Sequence, residues 1–220
     1  MRAQASLQTL LRPRGKDSFV RRLAPAARVF DIGCGNNSPQ RVKSLRPDLY
    51  YVGLDVADYV QKVASVRAAD EYRITSPSQF AAAIASEVGT MDAVISAHNL
   101  EHCDEPAAVL AAMCGALTRS GKLYLSFPCA ESVHFPSRRG TLQFSDDPTH
   151  REPPLWAAVL VDLEKSGMKV EWQNRRYRPA VPLVLGALLE PISAMNQRVM
   201  PLGSTWALWG FESVIWATKA

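Results

Sequence analysis

Residues able to do chemistry stand out first at Asp31-Ile32-Gly33-Cys34-Gly35, an acid and two glycines closing the short apolar run Val29 to Ile32. Glycines at this spacing let the backbone turn tightly and let a ligand approach main-chain N–H groups that a Cβ would block. Asn36, Asn37 and Ser38 follow as N-cap candidates for a helix carrying Val42 and Leu45. Strand, glycine turn and helix N-terminus form a nucleotide-binding arrangement. It is not the dinucleotide fingerprint, because Ser38 stands where the third glycine would be. An acid at Asp31 suits a cationic or amine-bearing ligand better than a phosphate. Asp55 comes 22 positions after Gly33 and ends a second β-rich run, Tyr50 to Asp55. A carboxylate at the carboxyl end of the adjacent parallel strand can accept both ribose hydroxyls of an adenosine.

A second reactive set lies in residues 128–152, a long loop rich in proline and polar residues. Loops of that length inside a compact domain usually serve a function or are disordered. This one carries Phe135, Phe144, His134, His150, Arg138, Arg139, Asp146 and Asp147. Histidine and aspartate suit acid–base work, and aromatic rings suit a sugar or ring face. His98 and His102 are four apart, a spacing a metal could use, but no carboxylate partner is evident on the same face, so no metal ligands are assigned.

The elements that position these groups alternate strand and helix. Strands are expected at 28–32, 50–55, 66–69, 91–96, 122–127, 168–173 and 211–219, the third ending at Asp70, near where an adenine would lie. Helices are expected at 38–46, from Ser76 with Phe80, Ile84 and Val88 on the core face, at 105–117, and from Pro153 to Lys165. Residues 1–26 read as a helical lead-in, with Leu7, Leu10 and Leu11 at helical spacing and a second short helix over 19–23.

At 220 residues with 47% hydrophobic and 21% charged content, the chain is expected to be one globular domain, 1–220. A net charge of +4 permits an anionic substrate or membrane surface without requiring either. Cys34, Cys103, Cys114 and Cys129 form no C-x-x-C pair, so neither a disulfide framework nor a zinc site is indicated and a reducing cytoplasm is the default. No signal-peptide core and no run of the roughly 18–20 apolar residues of a membrane span is found.

The first motif resembles that of class I S-adenosylmethionine-dependent methyltransferases. So does the run Ser96-Ala97-His98-Asn99-Leu100-Glu101-His102, after a strand opened by Asp92, and so does the Arg119-Ser120-Gly121-Lys122 turn before the next strand. The resemblance covers residues 27–128. It implies an α/β fold, a Rossmann-like seven-stranded sheet that is mostly parallel with an antiparallel last strand and helices on both faces. It implies S-adenosylmethionine as cofactor, bordered by Asp31, Gly33, Cys34, Gly35, Asp55, Asp70, Ser96, His98 and Asn99. Magnesium is compatible with such an enzyme but not indicated.

Residues 135–142 with Asp146-Asp147-Pro148-Thr149-His150 are similar to a segment of bacterial methyltransferases of polysaccharide and other glycan pathways. That likeness implies a sugar or glycan hydroxyl as acceptor. Such a hydroxyl is a poor nucleophile at neutral pH and calls for a base. The candidate is His150, oriented by Asp146 or Asp147, with His102 as runner-up because it would lie beside the cofactor. The loop's aromatic and basic groups would bind a sugar ring and a phosphate. Methylation of a small aromatic or amine metabolite, or cofactor binding without turnover, are the alternatives. Nucleic acid is not an expected partner, since the basic residues are scattered.

Residues 174–210 stand where the resemblance implies a short hairpin. They combine Arg175, Arg176 and Arg178 with an apolar stretch, and Trp206 and Trp209 follow. A peripheral membrane contact, a helical lid and a homodimer interface are three readings of this insertion. The first would place the protein at the inner face of the membrane.

Overall fold

The computed structural model of the chain describes residues 13–58 and 67–220. The expected helix at Leu7, Leu10 and Leu11, and Val66 of the expected third strand, lie outside the described residues. The elements in order are α1 (Lys16–Val20), β1 (Arg28–Ile32), α2 (Ser38–Leu45), β2 (Tyr50–Asp55), β3 (Glu71–Ile74), α3 (Phe80–Ala85), β4 (Met91–Ala97), α4 (Pro106–Ala116), β5 (Leu117–Pro128), α5 (Trp156–Lys165), β6 (Met168–Asn174), α6 (Ala180–Met195), α7 (Ser204–Trp209) and β7 (Glu212–Lys219). The strands form one seven-stranded sheet in the order β3-β2-β1-β4-β5-β7-β6. β1 runs parallel to β2 (Phe30 opposite Val52) and to β4 (Phe30 opposite Val94), and β4 parallel to β5. Only β7 is antiparallel, to β5 on one side and β6 on the other. This is the expected mostly parallel sheet with its reversed last strand.

Burial on both faces explains the apolar runs. Successive strand residues point to opposite sides, so a strand covered on both reads as continuous hydrophobic sequence. Phe30, Ile32, Val52, Leu54 and Val94 pack with Ile84 of α3, Leu110 and Met113 of α4 and Leu163 of α5. Val29, Tyr51, Ile95 and Trp216 face the other way, against Phe19 and Val20 of α1 and Val42 of α2. Each large apolar side chain so buried contributes about 1.5–3 kcal/mol.

Two local expectations are corrected. The third strand is Glu71–Ile74 and not 66–69, and Arg67 and Ala68 are helical. The Val66–Ala69 run looked apolar enough for a buried strand, whereas the real strand lies at the sheet edge, mostly half-buried, and needs no such run. With Val52 opposite Glu71, Asp70 precedes β3 at the amino-terminal end of the parallel strands. There its carboxylate accepts the Tyr51 N–H (2.7 Å) and the Lys43 ammonium (2.8 Å), so the assignment of Asp70 to an adenine contact does not hold. Helix α3 ends at Ala85, leaving Val88 72% exposed instead of on the core face.

The insertion is helical. α6 lies close on α7 because Gly186 has no Cβ, where one would overlap the Ser204 carbonyl. A third cluster, Cys129, Phe135, Leu142 and Phe211 with Trp206 and Trp209, joins these helices to the long loop after β5. Buried Arg138 of that loop clamps α6, giving two parallel hydrogen bonds to Glu190 (2.7 and 2.9 Å) and one to the Ser193 hydroxyl (2.7 Å). Among the described residues no helix is long and apolar enough to cross a membrane.

Candidate active site

The carboxyl ends of β1, β2 and β4 meet where the sheet order reverses, the place where open α/β sheets bind ligands. Gly33 turns the chain out of β1 at φ +66°, and a Cβ there would overlap the Asn99 side chain that follows β4. Its N–H donates to the Leu54 carbonyl (2.9 Å), which ties the turn to β2. Gly35, at φ +54°, has open space where a Cβ would stand, and its N–H donates to Asp55 Oδ2 (2.7 Å). Asp55 Oδ1 accepts the Val56 N–H (2.8 Å). The carboxyl group is buried, and burial raises its pKa against the pull of those two N–H donors. Each carboxylate oxygen keeps a second lone-pair site for a further donor.

These groups open onto a cleft of about 950 Å³, within the usual range for a ligand site. Beyond Asp55 its wall is apolar, made by Val56, Pro77, Phe80 and Ala81; its other side carries His102, Asp147, Thr149, His150 and Arg151. A carboxylate for paired hydroxyls, a glycine turn that lets a ligand approach the main chain closely and an apolar wall for a base fit a nucleoside cofactor.

Of the residues assigned from sequence, Gly33, Gly35, Asp55, His98, Asn99, His102, Asp147 and His150 line this one cleft. Asp31, Cys34, Ser96, Asp70 and Asp146 do not. Asp31 is fully buried in β1, and its Oδ2 accepts the Lys16 ammonium (2.8 Å), the Ser38 hydroxyl and the Tyr51 hydroxyl (2.7 Å). The cation beside Asp31 is therefore the chain's own Lys16, while Oδ1 is buried without a partner among the described residues. Ser38 serves Asp31 and does not cap α2; Asn37 stands at the cap in a left-handed conformation with no side-chain cap bond. The Cys34 thiol is buried and pushed well up, by burial first and then by Asp31 and Asp55. Ser96 is buried inside β4.

The loop after β5 brings His150 and Asp147 to the cleft but uses Asp146 differently. Asp146 Oδ2 accepts the N–H groups of Arg138, Leu142 and Gln143, and its Oδ1 the Ser137 hydroxyl. It holds the loop's own turn and cannot orient His150. Phe144 is buried against the His150 ring (4.6 Å between centroids) and Phe135 against Trp209 (5.3 Å). The expected sugar-stacking platform is therefore core, and Arg138 is spent on Glu190. Among the described residues none of 174–210 lines the cleft, and Trp206 of the insertion packs on His98 behind it (5.0 Å between centroids).

Hydrogen bonds put a hydrogen on Nδ1 of both His102 and His150. His150 Nδ1 lies 2.6 Å from the Phe144 carbonyl, which can only accept, so Nδ1 carries the hydrogen. The Thr149 hydroxyl donates its proton to Asp147 (2.6 Å) and accepts from His102 Nδ1 (2.9 Å). In the neutral imidazole that tautomer leaves Nε2 as the lone-pair nitrogen. Asp147 itself is held below the usual carboxylate range: burial raises it, but the Thr149 bonds and the two histidines prevail.

Glu101 completes the group. It is fully buried, its Oε2 has no hydrogen-bond partner among the described residues, and ligand atoms of Glu101, His102 and His150 all lie within 4.8 Å of one another. Three lone-pair donors so placed could take a hydroxyl proton or hold a divalent metal. The histidine pair that converges is therefore His102 with His150, not His98 with His102. Glu101 was legible only as an acid beside a histidine in the run after β4.

His98, at φ +53°, turns away between two carboxylates, Nδ1 3.2 Å from Glu101 and Nε2 2.8 Å from Glu212. Burial pulls its pKa down, yet the two carboxylates outweigh burial and hold it at about 10. No local signal points to Glu212, which stands 114 positions away.

Residues 30–125 match a family model described as a methyltransferase domain. A ubiquinone biosynthesis O-methyltransferase of Xanthomonas axonopodis pv. citri is 34% identical over 175 residues, 70% of this chain and 72% of that protein. One from Xanthomonas campestris pv. campestris is 30% identical over 186 residues, 75% of this chain and 76% of the relative. Among solved structures, an S-adenosylmethionine-dependent methyltransferase of Mesorhizobium loti aligns with a TM-score of 0.61 at 14% identity, covering 91% of this chain and 96% of that one. One from Archaeoglobus fulgidus aligns at 0.57 and 17% identity, covering 98% and 99%. At these identities the structures speak for the fold.

Proposed function

The chain belongs to the class I S-adenosylmethionine-dependent methyltransferases, and from that premise we propose that it methylates a hydroxyl oxygen of a sugar or glycan, as polysaccharide biosynthesis requires. The observation that carries this reading is that His102 and His150 line the same cleft as Gly35 and Asp55, with the buried Glu101 carboxylate within 4.8 Å of both. Asp55 is assigned to the ribose hydroxyls, Val56, Pro77, Phe80 and Ala81 to the adenine, and Gly33, Gly35 and Asn99 to the rest of the cofactor. The sulfonium of the bound cofactor makes its methyl carbon electrophilic.

The residues of the chain supply orientation and proton removal. His150 takes the acceptor proton at Nε2, because its Nδ1–H is committed to the Phe144 carbonyl. Asp147, through Thr149, sets His102 in the matching tautomer. Held by Asp55, Gly35 and Asn99, the cofactor would supply its methyl group to the oxygen that His150 has freed of its proton and would leave as S-adenosylhomocysteine. Polar groups dominate this side of the cleft, and among the described residues its lining includes no phenylalanine, tyrosine or tryptophan besides Phe80 on the apolar wall. Converging hydrogen-bonding groups on this side suit a polyhydroxyl acceptor.

Two further readings each have an observation behind them. The unpartnered Glu101 Oε2 favours a divalent cation on Glu101, His102 and His150, which would lower the pKa of a bound hydroxyl. The named relatives favour an acceptor from ubiquinone biosynthesis. The test is S-adenosylhomocysteine release from chelator-washed protein, with and without magnesium or zinc. Acceptors would be nucleotide sugars, glycan fragments, small phenols and ubiquinone precursors. Turnover on a sugar acceptor that His150→Gln abolishes supports the proposal. Turnover confined to phenols or ubiquinone precursors overturns the acceptor assignment, and activity restored only by metal moves proton removal from His150 to the ion.

A further inference from the structure

Helix α6 turns one side to the protein and the other outward. Inward, Glu190 and Ser193 are held by Arg138, and Gly186 lies against α7. Outward, every exposed residue of α6 is apolar. Val181, Val184, Leu188, Ile192 and Met195 follow at steps of three and four, the repeat of one helix face, and Val181, Leu188 and Met195 are 80%, 71% and 84% exposed. A rigidly held helix showing an unbroken apolar stripe needs a partner, because monomeric proteins rarely leave such patches in water.

The charges around the stripe select the partner. Arg178 stands just before α6; Arg198 stands just after it, opposite Arg139 of the loop, whose backbone bonds to the flanking Gln197 and Val199. All three are exposed, and none pairs with a carboxylate among the described residues. The acids nearby are taken, Glu190 by Arg138 and Glu131 by Arg175. A second copy laid antiparallel on α6 would bring Arg178 against the partner's basic end with no acid to offset it. An anionic lipid surface satisfies both features at once, with the apolar face in the acyl boundary and the arginines at the headgroups. The helix has 16 residues and does not span. We propose that α6 docks the protein on an anionic bilayer, its axis in the plane of the interface.

The test is co-sedimentation of the full chain with vesicles of phosphatidylcholine alone and of phosphatidylcholine mixed equally with phosphatidylglycerol, alongside sedimentation velocity without lipid. Binding is expected to the mixed vesicles and to weaken with salt. Val184→Asp with Leu188→Asp should lower it by at least about tenfold, since each removes apolar insertion and adds a repelled charge. Arg139→Ala and Arg198→Ala should lower it by about fivefold each. These side chains are exposed, and an unchanged thermal midpoint certifies the fold. The proposal is overturned if the wild-type chain stays with the supernatant, if both vesicle types bind it equally, or if the aspartate pair leaves binding intact. Dimerisation that the aspartate pair abolishes, without vesicle binding, would instead assign the face to a second copy.

Discussion

Replacing Asp55 with alanine tests the cofactor assignment at its most exposed point. Its two oxygens accept the N–H groups of Gly35 (2.7 Å) and Val56 (2.8 Å), which leaves one lone-pair site on each for a ribose hydroxyl. A hydrogen bond to a charged group contributes about 1.5–3 kcal/mol, and a cleft open to water brings a pair of them to roughly 3 kcal/mol together. The expected loss of affinity for S-adenosylmethionine is therefore about a hundredfold. The substitution also strips the acceptor from two main-chain N–H groups, a stability cost of about 1–2 kcal/mol that a thermal melt reads separately. Asparagine is not a silent control, because its amide nitrogen must face one of those two N–H donors. Titration calorimetry with S-adenosylmethionine and S-adenosylhomocysteine, on variants shown to be folded, gives the answer. An affinity within about threefold of wild type would refute the ribose contact and the reading of the Gly35–Asp55 pair with it.

Changing His102 and His150 together to glutamine should lower turnover by about 10²–10⁴-fold while cofactor affinity stays put; a parallel loss of affinity would place the pair in the cofactor half instead. Arg138→Ala leaves Glu190 without its two-bond partner on a buried guanidinium, an expected loss of about 3 kcal/mol. For a chain of this size that is a fall of roughly 6–12 °C in the thermal midpoint, and an unchanged midpoint would show that α6 is held by packing alone. Burial lifts the Asp55 pKa above the ordinary carboxylate value, so the ionised form that accepts both hydroxyls is lost at higher pH than for a free aspartate. Cofactor affinity should fall as pH drops through that raised value. The linked stability runs the other way: protonated Asp55 favours the fold, and its contribution declines as pH rises from the unfolded pKa through the folded one. Affinity that stays flat down to the usual carboxylate range would refute this.

Local chemistry was enough for the first half of the site. Gly33 and Gly35 announce a turn only residues without a Cβ make easily, and Asp55 ends a strand whose apolar run is what two-sided burial demands. From these follow the strand–turn–helix, the parallel neighbour and the place of the carboxylate, because each depends on residues close in sequence. The same reasoning failed at Asp70, where a short apolar run preceded the real edge strand and put the acid at the opposite end of the sheet.

What tertiary structure decided is the pairing of distant groups. Lys16 with Asp31, His98 with Glu212, the Asp147–Thr149–His102 chain and the Arg138 clamp on Glu190 join segments whose meeting depends on sheet register and on the path of the long loop. Sequence marked Asp146 and Asp147 as equal candidates beside His150. The loop's own turn bound Asp146 to three backbone N–H groups and left Asp147 facing the cleft. Residue type says which groups can exchange a proton or accept a hydroxyl, and only the folded chain decides which of them the backbone has already used.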